Sequence, residues 1–507
     1  MAPRQVVGSE DPGGASVGGS LNPGGASVAA HSAHLRKELG LFDLTLTQVL
    51  FVVGLPWVGV AAKQGTAHVV LWLAAIVFFY LPSAAVVIYL NRANPLEGGL
   101  YQWAKLGFGE LTGFLVAWNL WLFAILNTSE TGIQVTQYFR YVLGPDGEWL
   151  TGARWFVVAV SMVIFTGLVV VTIRGLRVGK WVHTIGGILM LTTFALLIAL
   201  PWLNVAKGTL TAFHPLTMTV PMMSIMTLNI GAKMGFGALG GFEYVAIHAG
   251  ECHNPERTIA RSVALAAPII ALMFILGTSS VLALVPIESI DLIAPIPQVL
   301  AEGFRPFGTA SMVAPLTIIA LLCIRLAQAS VMFAGNTRLP MVAGWDGLLP
   351  SWFTRMHNRY HTPVNSILFV GAVTAGFSVL GLIGVGKQEA FQLLWNASGI
   401  FYGLTYLVMF ALPIADRRAP LWLKTAALSG LVTTLLFVVI SILPIVQVNS
   451  RLAFAAKISG VVILANAIGA AIFFRFHKVL RGSTGFREVQ NRQNLRTGHP
   501  VEPGRTQ

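Results

Sequence analysis

The stretch GFGALGGFEY, residues 235–244, holds the residue types that most clearly suggest chemistry. Its glycines are Gly235, Gly237, Gly240 and Gly241. Their spacing matches G-x-G-x-x-G, the pattern of dinucleotide-binding loops. Glycines let a backbone approach a ligand closely, and the N–H groups of a following helix can then face an anion. The pattern therefore predicts an anion site formed by backbone, and the surrounding elements decide which anion it is.

Those elements exclude a dinucleotide site, which needs a strand before the glycines and a βαβ unit around them. Of the 507 residues, 55% are hydrophobic and only 10% are charged, whereas soluble domains are about 25% charged. Apolar runs of about 20 residues, enough to cross a bilayer, recur along the chain. The predicted fold class is therefore an all-α polytopic membrane protein, with the glycines inside a membrane span.

Apolar segments predict twelve transmembrane helices, numbered here as spans 1 to 12. They are 44–62, 67–91, 112–141, 153–173, 181–203, 221–249, 262–286, 309–335, 364–385, 389–413, 420–446 and 453–475. Most of the 33 Lys and Arg residues lie on the side of the N-terminus. By the positive-inside rule, both termini are predicted to be cytoplasmic. The same asymmetry explains the net charge of +13 without a nucleic-acid partner.

Two spans carry helix breakers near their centres. Span 1 contains Gly54 and Pro56, and span 6 contains the glycine cluster. Spans 1 and 6 each begin a set of five helices, and an odd-numbered repeat emerges in the opposite membrane orientation from its partner. Interrupted spans at corresponding positions of inverted halves are typical of secondary transporters with a site at mid-membrane.

Half-helices that meet at mid-membrane offer free N–H groups to a carboxylate and free C=O groups to an ammonium. A zwitterionic amino acid has both groups. The predicted substrate-binding residues are Val53, Gly54, Leu55, Pro56, Phe236, Gly237, Ala238, Leu239, Gly240 and Gly241. The predicted gating residues are Trp57, Phe236 and Phe242. The alternative interpretation is that the glycines only let two helices pack closely.

Ionisable residues inside spans are costly, so each is a candidate for coupling. Lys233 could exchange protons or replace a bound Na⁺, or it could be a fixed cation that caps carbonyls. Glu243 could carry a proton or hold span 6 to its neighbours through hydrogen bonds. Glu130 could bind a substrate ammonium or a basic side chain of the substrate, or it could form an ion pair with Arg325 of span 8.

Four loop regions resemble those of the amino acid–polyamine–organocation (APC) superfamily. They are NPLEGGLYQWAKLGFGELTGFLVAW (94–118), TIRGLRVGKW (172–181), GFEYVAIHAGECHNPERTIARS (241–262) and NTRLPMVAGWDGLLPSWFTRMHNRYHTPVNS (336–366). The resemblance implies a 5+5 inverted repeat of the leucine-transporter type plus two extra helices, with spans 1 and 6 holding the substrate. Two features depart from the pattern. Span 1 reads VVGLP rather than a Gly-Ser-Gly-like run, and Gly237 stands where some relatives have a gating aromatic residue.

The expected function is secondary active transport of amino acids across the plasma membrane by alternating access, coupled to protons or run as exchange. A Na⁺-coupled symporter and a transporter of polyamines or other organocations are alternatives, and a channel or a non-transporting receptor is an alternative of another class. No nucleophile–base pair or metal cluster is evident, so no enzyme activity, cofactor or metal is expected. The expected partners are the substrate, H⁺ and the lipid bilayer.

Three regions are predicted along the chain. Residues 1–40 repeat PGGASV and form a low-complexity, disordered segment, and 481–507 form a disordered basic tail. Residues 41–480 form the transporter domain, with repeats at about 41–205 and 215–415 and extra helices at 420–475. The two cysteines, Cys252 in a loop and Cys323 in a span, predict no disulfide.

Overall fold

The computed structural model describes residue 35 and residues 37–143, 148–292, 294–308, 310–380, 387–443 and 450–482. Within these ranges the chain is built from helices joined by loops, and no strand is formed beyond one isolated bridge. The predicted all-α class is confirmed. The predictions of disorder for 1–40 and 481–507 fall almost entirely outside the described residues.

Nine helices of the described ranges are long and apolar enough to cross a membrane, and they correspond to spans 2–5, 7, 8 and 10–12. They are Gly65–Ala93, Glu110–Phe139, Arg154–Arg174, Val178–Ala206, Pro255–Leu284, Pro315–Trp345, Trp395–Ala415, Leu421–Ile440 and Arg451–Phe476. Span 9 is the 17-residue apolar helix Val364–Leu380. Spans 1 and 6 do not qualify by length because each is divided into short pieces.

Span 1 consists of helices Leu41–Val52 and Trp57–Ala62. Between them the backbone turns: the Gly54 N–H donates to the Val52 carbonyl over 2.9 Å, and the Trp57 N–H donates to the Gly54 carbonyl over 3.1 Å. Pro56 has no N–H to continue the first helix, but its fixed φ suits the start of the second. The break therefore lies at residues 53–56, as the breakers predict.

Span 6 begins as the α-helix Ile225–Ala232 and widens into a π-helix at Lys233–Gly237. Residues Gly240 and Gly241 are not helical, and the 3₁₀-helix Tyr244–Glu251 completes the span. Gly241 has a φ of 140°, a conformation that favours glycine. The break is therefore narrower than the glycine cluster, because Gly235 and Gly237 remain within helical turns.

The side of the molecule that carries the start of span 1 is closed by direct contacts and is called the N-terminal side. The Leu39 N–H donates to the Glu251 carbonyl over 3.1 Å, and the His253 N–H donates to the Leu39 carbonyl over 3.2 Å. Lys105 forms an ion pair with Asp346 at 2.6 Å, which joins the loop after span 2 to the loop after span 8. The two hydrogen bonds of Leu39 hold the start of span 1 against the end of span 6.

Candidate functional site

A cavity of about 100 Å³ lies between the breaks in spans 1 and 6. Spans 3, 8, 10 and 11 complete its wall. The predicted site residues among its lining are Gly54, Leu55, Pro56, Trp57, Lys233, Phe236, Gly237, Gly240 and Arg325. The tertiary structure thus brings the centres of spans 1 and 6 to one small, internal space, although they are far apart in the chain.

Other predicted residues are buried beside the cavity without lining it. These are Val53, Ala238, Leu239, Gly241, Phe242, Glu243 and Glu130. Phe242, predicted to gate, instead stacks on Tyr80 with ring centroids 4.7 Å apart. Phe236, the other gating aromatic of span 6, lines the cavity and packs on Phe437 at 4.5 Å.

Residues that the sequence analysis missed also form the wall, and the clearest are Gln328, Trp395, Asn396 and Tyr402. Two signals pointed to them. Gln328 lies three residues after Arg325, on the same side of span 8. Tyr402 lies four residues before Tyr406, so both face one side of span 10. Tyr402 also stacks on Phe123 of span 3, with centroids 3.9 Å apart.

At the break in span 1, a side chain occupies two of the carbonyl groups, and a donor is left open. The Gln328 side-chain amide donates to the Leu50 carbonyl over 2.9 Å and to the Val53 carbonyl over 2.8 Å. The Leu55 N–H, next to the cavity, has no hydrogen-bond partner among the described residues. Because buried N–H groups are rarely left unpaired, this donor is suited to a ligand acceptor.

At the break in span 6, the backbone is closed by side chains of span 10. The Gly241 N–H donates to the Tyr406 hydroxyl over 2.7 Å, and the Gly240 N–H donates to the Phe236 carbonyl over 3.0 Å. The Tyr406 and Tyr402 hydroxyls in turn donate to the Glu243 carboxylate. Glu243 therefore receives two hydroxyl donors and holds span 6 to span 10.

The Trp57 indole occupies the space between the two breaks. A Cβ on Gly54 would lie 2.5 Å from Trp57 Cδ1, and a Cβ on Gly237 would lie 2.7 Å from Trp57 Cη2. The indole also approaches the Trp395 ring, with centroids 5.5 Å apart. The packing of Trp57 therefore requires glycine at positions 54 and 237. Gly237 is also the position where some APC relatives have a gating aromatic residue, and here the Trp57 ring packs against it.

Two cationic side chains reach the cavity. Lys233 is 3% exposed, and its amino group has no hydrogen bond or ion pair with any described residue. Arg325 lies 3.8 Å from the Glu130 carboxylate and 3.2 Å from the Thr131 hydroxyl. The structure thus pairs Arg325 with Glu130 and leaves Lys233 unpaired.

A second polar cluster lies on the N-terminal side, where Glu97, His248 and Glu251 place possible metal ligands within 4.8 Å of one another. Arg338 contacts Glu251 at 2.8 Å, and Lys37 contacts the adjacent Gly250 carbonyl. Burial and the Glu251 carboxylate raise the pKa of Glu97. Because these two cations balance the two carboxylates, the cluster has no net negative charge to attract a divalent ion.

The model of a family described as amino acid permease matches residues 39–469. The chain belongs to the amino acid permease family. This membership confirms the resemblance found in the sequence, and the names of the family and of its relatives indicate a transporter.

Two relatives illustrate the similarity of the permease to known proteins. An uncharacterized transporter of Legionella pneumophila is 24% identical over 387 residues, covering 76% of this chain and 82% of the relative. A branched-chain amino acid permease of Bacillus subtilis is 23% identical over 385 residues, covering 71% of this chain and 80% of the relative. Both alignments cover more than 70% of this chain, so the similarity extends along most of its length.

The fold of the permease is similar to that of MhsT, solved in complex with L-phenylalanine. The two structures superpose with a TM-score of 0.57 at 14% sequence identity, covering 80% of this chain and 98% of MhsT. At this identity the comparison supports the fold alone. This fold agrees with the all-α, multi-pass membrane architecture that the sequence predicts.

Proposed function

We propose that the permease is a secondary active transporter that carries amino acids through the cavity between the span 1 and span 6 breaks. The observation that supports this most directly is the convergence of both breaks on one cavity, beside an unpaired N–H at Leu55. An amino acid carboxylate is an acceptor suited to that donor. Substrate contacts are proposed at the lining residues of the two breaks.

Alternating access is the proposed mechanism. For a substrate to leave on the N-terminal side, the contacts of Leu39 with Glu251 and His253 must separate. On the opposite route, the Trp57 indole must move from between Gly54 and Gly237. We propose that the N-terminal side faces the cytoplasm and that the protein lies in the plasma membrane, as the distribution of Lys and Arg predicts.

Proton coupling or substrate exchange is the proposed energy source. Lys233 and Glu243 are buried ionisable groups within span 6, on either side of its break, and Glu130 pairs with Arg325 nearby. A Na⁺ site would need free oxygen ligands. The Ser330 hydroxyl of span 8 is within 3.3 Å of His183, so it already has a partner.

The experiment is uptake of labelled amino acids by proteoliposomes that contain the full chain. We expect saturable uptake above that of empty liposomes, unchanged when choline replaces sodium. Absence of both uptake and exchange across a broad panel of amino acids and polyamines would refute transport. Strict sodium dependence would refute the proposed coupling, and non-saturable flux would favour a channel.

A further inference from the structure

The cavity between the two breaks has a charge pattern from which the substrate class can be inferred. The charged side chains that line it are Lys233 and Arg325, both cationic. Among the described residues, no aspartate or glutamate belongs to the lining. A substrate in this space therefore meets positive charge first, together with the side-chain amides of Asn127, Gln134 and Asn396.

Two buried acids, Glu243 and Glu130, lie outside the cavity lining and have partners there. Glu243 accepts hydrogen bonds from the hydroxyls of Tyr402 and Tyr406, so both of its oxygens are directed toward span 10. Glu130 directs one oxygen toward Arg325, at 3.8 Å, and toward the Gln134 amide, at 3.5 Å. Both oxygens of Glu243 are therefore occupied, whereas the second oxygen of Glu130 is buried without a hydrogen-bond partner and lies outside the cavity lining.

Lys233 differs from Arg325 because nothing in the described structure neutralises it. Its side chain is buried, it reaches the cavity, and it has no hydrogen bond or ion pair there. An unpaired cation in a region of low dielectric attracts an anion and repels a second cation far more strongly than it would in water. A ligand carboxylate would supply the missing partner.

The cavity has two donor groups without a partner, and the α-carboxylate of an amino acid would bind only one of them. The Leu55 N–H, on span 1, and the Lys233 amino group, on span 6, belong to different walls. A substrate with two carboxylates could bind one at each position. A substrate with a cationic side chain would place that charge beside Lys233 or Arg325 without an acid in the described cavity lining to receive it.

We infer that the transported amino acid has an acidic side chain, of the aspartate and glutamate class, and that Lys233 binds the side-chain carboxylate. This inference rests on the proposed transport function and narrows it. It also excludes arginine, lysine and polyamines as good substrates.

The first test uses the unaltered chain in proteoliposomes, with labelled glutamate, aspartate, leucine and arginine supplied separately. Uptake is measured both with empty lumens and with lumens preloaded with the same unlabelled amino acid, so that an exchanger is also detected. We expect glutamate or aspartate to exceed leucine by about tenfold or more, and arginine to remain at background. Leucine or arginine as the preferred substrate would overturn the inference while leaving the proposed transport function intact. Background values for all four would instead count against transport itself.

The second test changes Lys233, with Lys207 as a matched control. Lys207 lies outside the cavity, over the Phe307 ring at 4.6 Å. We expect Lys233→Met to lower the ratio of acidic amino acid uptake to leucine uptake by about tenfold or more. Lys233→Arg keeps the charge and should retain the acidic preference, and Lys207→Met should match the unaltered protein.

Folding is checked by size-exclusion chromatography of each variant before reconstitution. If Lys233→Met does not fold, the preference of Lys233→Arg and of the unaltered chain decides the matter. An unchanged ratio of acidic to neutral uptake or exchange in a folded Lys233→Met protein would show that Lys233 does not recognise the side chain. That result would overturn the inference.

Discussion

The breaks in spans 1 and 6 serve the same cavity but are built in opposite ways. In span 1 the carbonyls of Leu50 and Val53 are occupied by Gln328, while the Leu55 N–H is open. In span 6 the Gly241 N–H is occupied by Tyr406, which also contacts the carboxylate of Glu243. One break presents a donor to the cavity, and the other is fastened to a neighbouring helix.

This difference separates two uses of an unwound helix. In hydrocarbon, backbone without helical hydrogen bonds must find partners in the protein, in water or in a ligand. Span 6 finds its partners in span 10, so its break is a joint within the bundle. Span 1 leaves one donor for a ligand, so its break is the better candidate for carboxylate recognition. The sequence pattern alone favoured the glycine-rich span 6 for that role.

The largest effect is expected from Gly241→Ala, which tests whether the span 6 joint tolerates a side chain. Gly241 has a φ of 140°, and an added Cβ would lie 2.8 Å from Phe51 Cδ1. Strain and overpacking together should destabilise the protein by roughly 3 kcal/mol or more. The effect is measured by heating the protein and quantifying the remaining monodisperse fraction by size-exclusion chromatography.

Gly231→Ala is the matched control for this substitution. It lies earlier in span 6, and its added Cβ would meet Leu71 at an ordinary 3.7 Å. It should behave like the unaltered protein. Equal stability of the two variants would show that the break at Gly241 is not constrained as the structure indicates.

Tyr406→Phe removes the hydroxyl that fastens the span 6 joint. It leaves both the Gly241 N–H and one oxygen of Glu243 without a partner. Because each buried group left unpaired costs about 1–3 kcal/mol, we expect a loss of roughly 2–4 kcal/mol and a strong reduction of uptake. Thermal stability and uptake are measured in the same preparation.

Tyr402→Phe provides the comparison for Tyr406→Phe. The Tyr402 hydroxyl donates to Glu243 but does not contact the Gly241 N–H. Its removal should therefore cost about half as much. Equal losses of stability in the two variants would mean that the contact between Tyr406 and the Gly241 N–H contributes nothing. The description of the span 6 break as a joint held by Tyr406 would then be wrong.

Gln328→Met tests the span 1 side of the comparison. The variant retains the length of the side chain but loses the donors to the Leu50 and Val53 carbonyls. We expect destabilisation of roughly 1–3 kcal/mol, with a larger relative loss of substrate affinity, since the first half of span 1 is then less firmly held. Leu326→Met, on a more exposed part of span 8, is the control. A Gln328→Met protein with unchanged stability and affinity would contradict this account.

A smaller effect is expected where the two breaks meet at Trp57. Gly237→Ala brings a Cβ to within 2.7 Å of Trp57 Cη2, and overpacking of this kind costs roughly 1–3 kcal/mol. Trp57→Phe removes the ring atoms that collide, so the double variant should recover most of the lost stability. A double-mutant cycle measures the coupling. Additive effects of the two changes would show that Trp57 does not pack against Gly237.

The smallest effect concerns Glu97, which accepts the Gly250 N–H at the far end of span 6 over 2.6 Å. Burial raises the pKa of Glu97, so the folded state binds the proton more tightly than the unfolded state. Its contribution to stability is therefore fullest at acidic pH and decreases as pH rises through the raised pKa. Glu97→Gln should raise Tm by about 2 °C at pH 8 and change it less at pH 5. A lower Tm at pH 8 would contradict this sign.

Much of the fold could be predicted because its signals are local. Apolar segment lengths indicate spans, and breakers such as Pro56 indicate where a helix is interrupted, whatever lies around it. Lys233 and Arg325 could be singled out because charge within an apolar run is costly in any bundle. The glycine cluster correctly predicts that span 6 is broken. Its spacing does not show that, of the four glycines, only Gly240 and Gly241 are outside helical turns.

The closing groups could not be predicted, because their partners are remote in the chain. Gln328 contacts carbonyls of span 1 that lie 278 and 275 positions away, and Tyr406 contacts Gly241 across 165 positions. No local pattern encodes such a pairing. The position of Trp57 between two glycines of different spans is likewise a consequence of packing.

Hydropathy and backbone preferences act residue by residue, so the amino-acid sequence is enough to predict that this protein crosses the membrane many times and that spans 1 and 6 are broken. Which of the broken ends are open depends on packing between remote helices. Whether a buried N–H or carbonyl is satisfied depends on what lies within about 3 Å of it, and span 10 reaches Gly241 while nothing described reaches the Leu55 N–H.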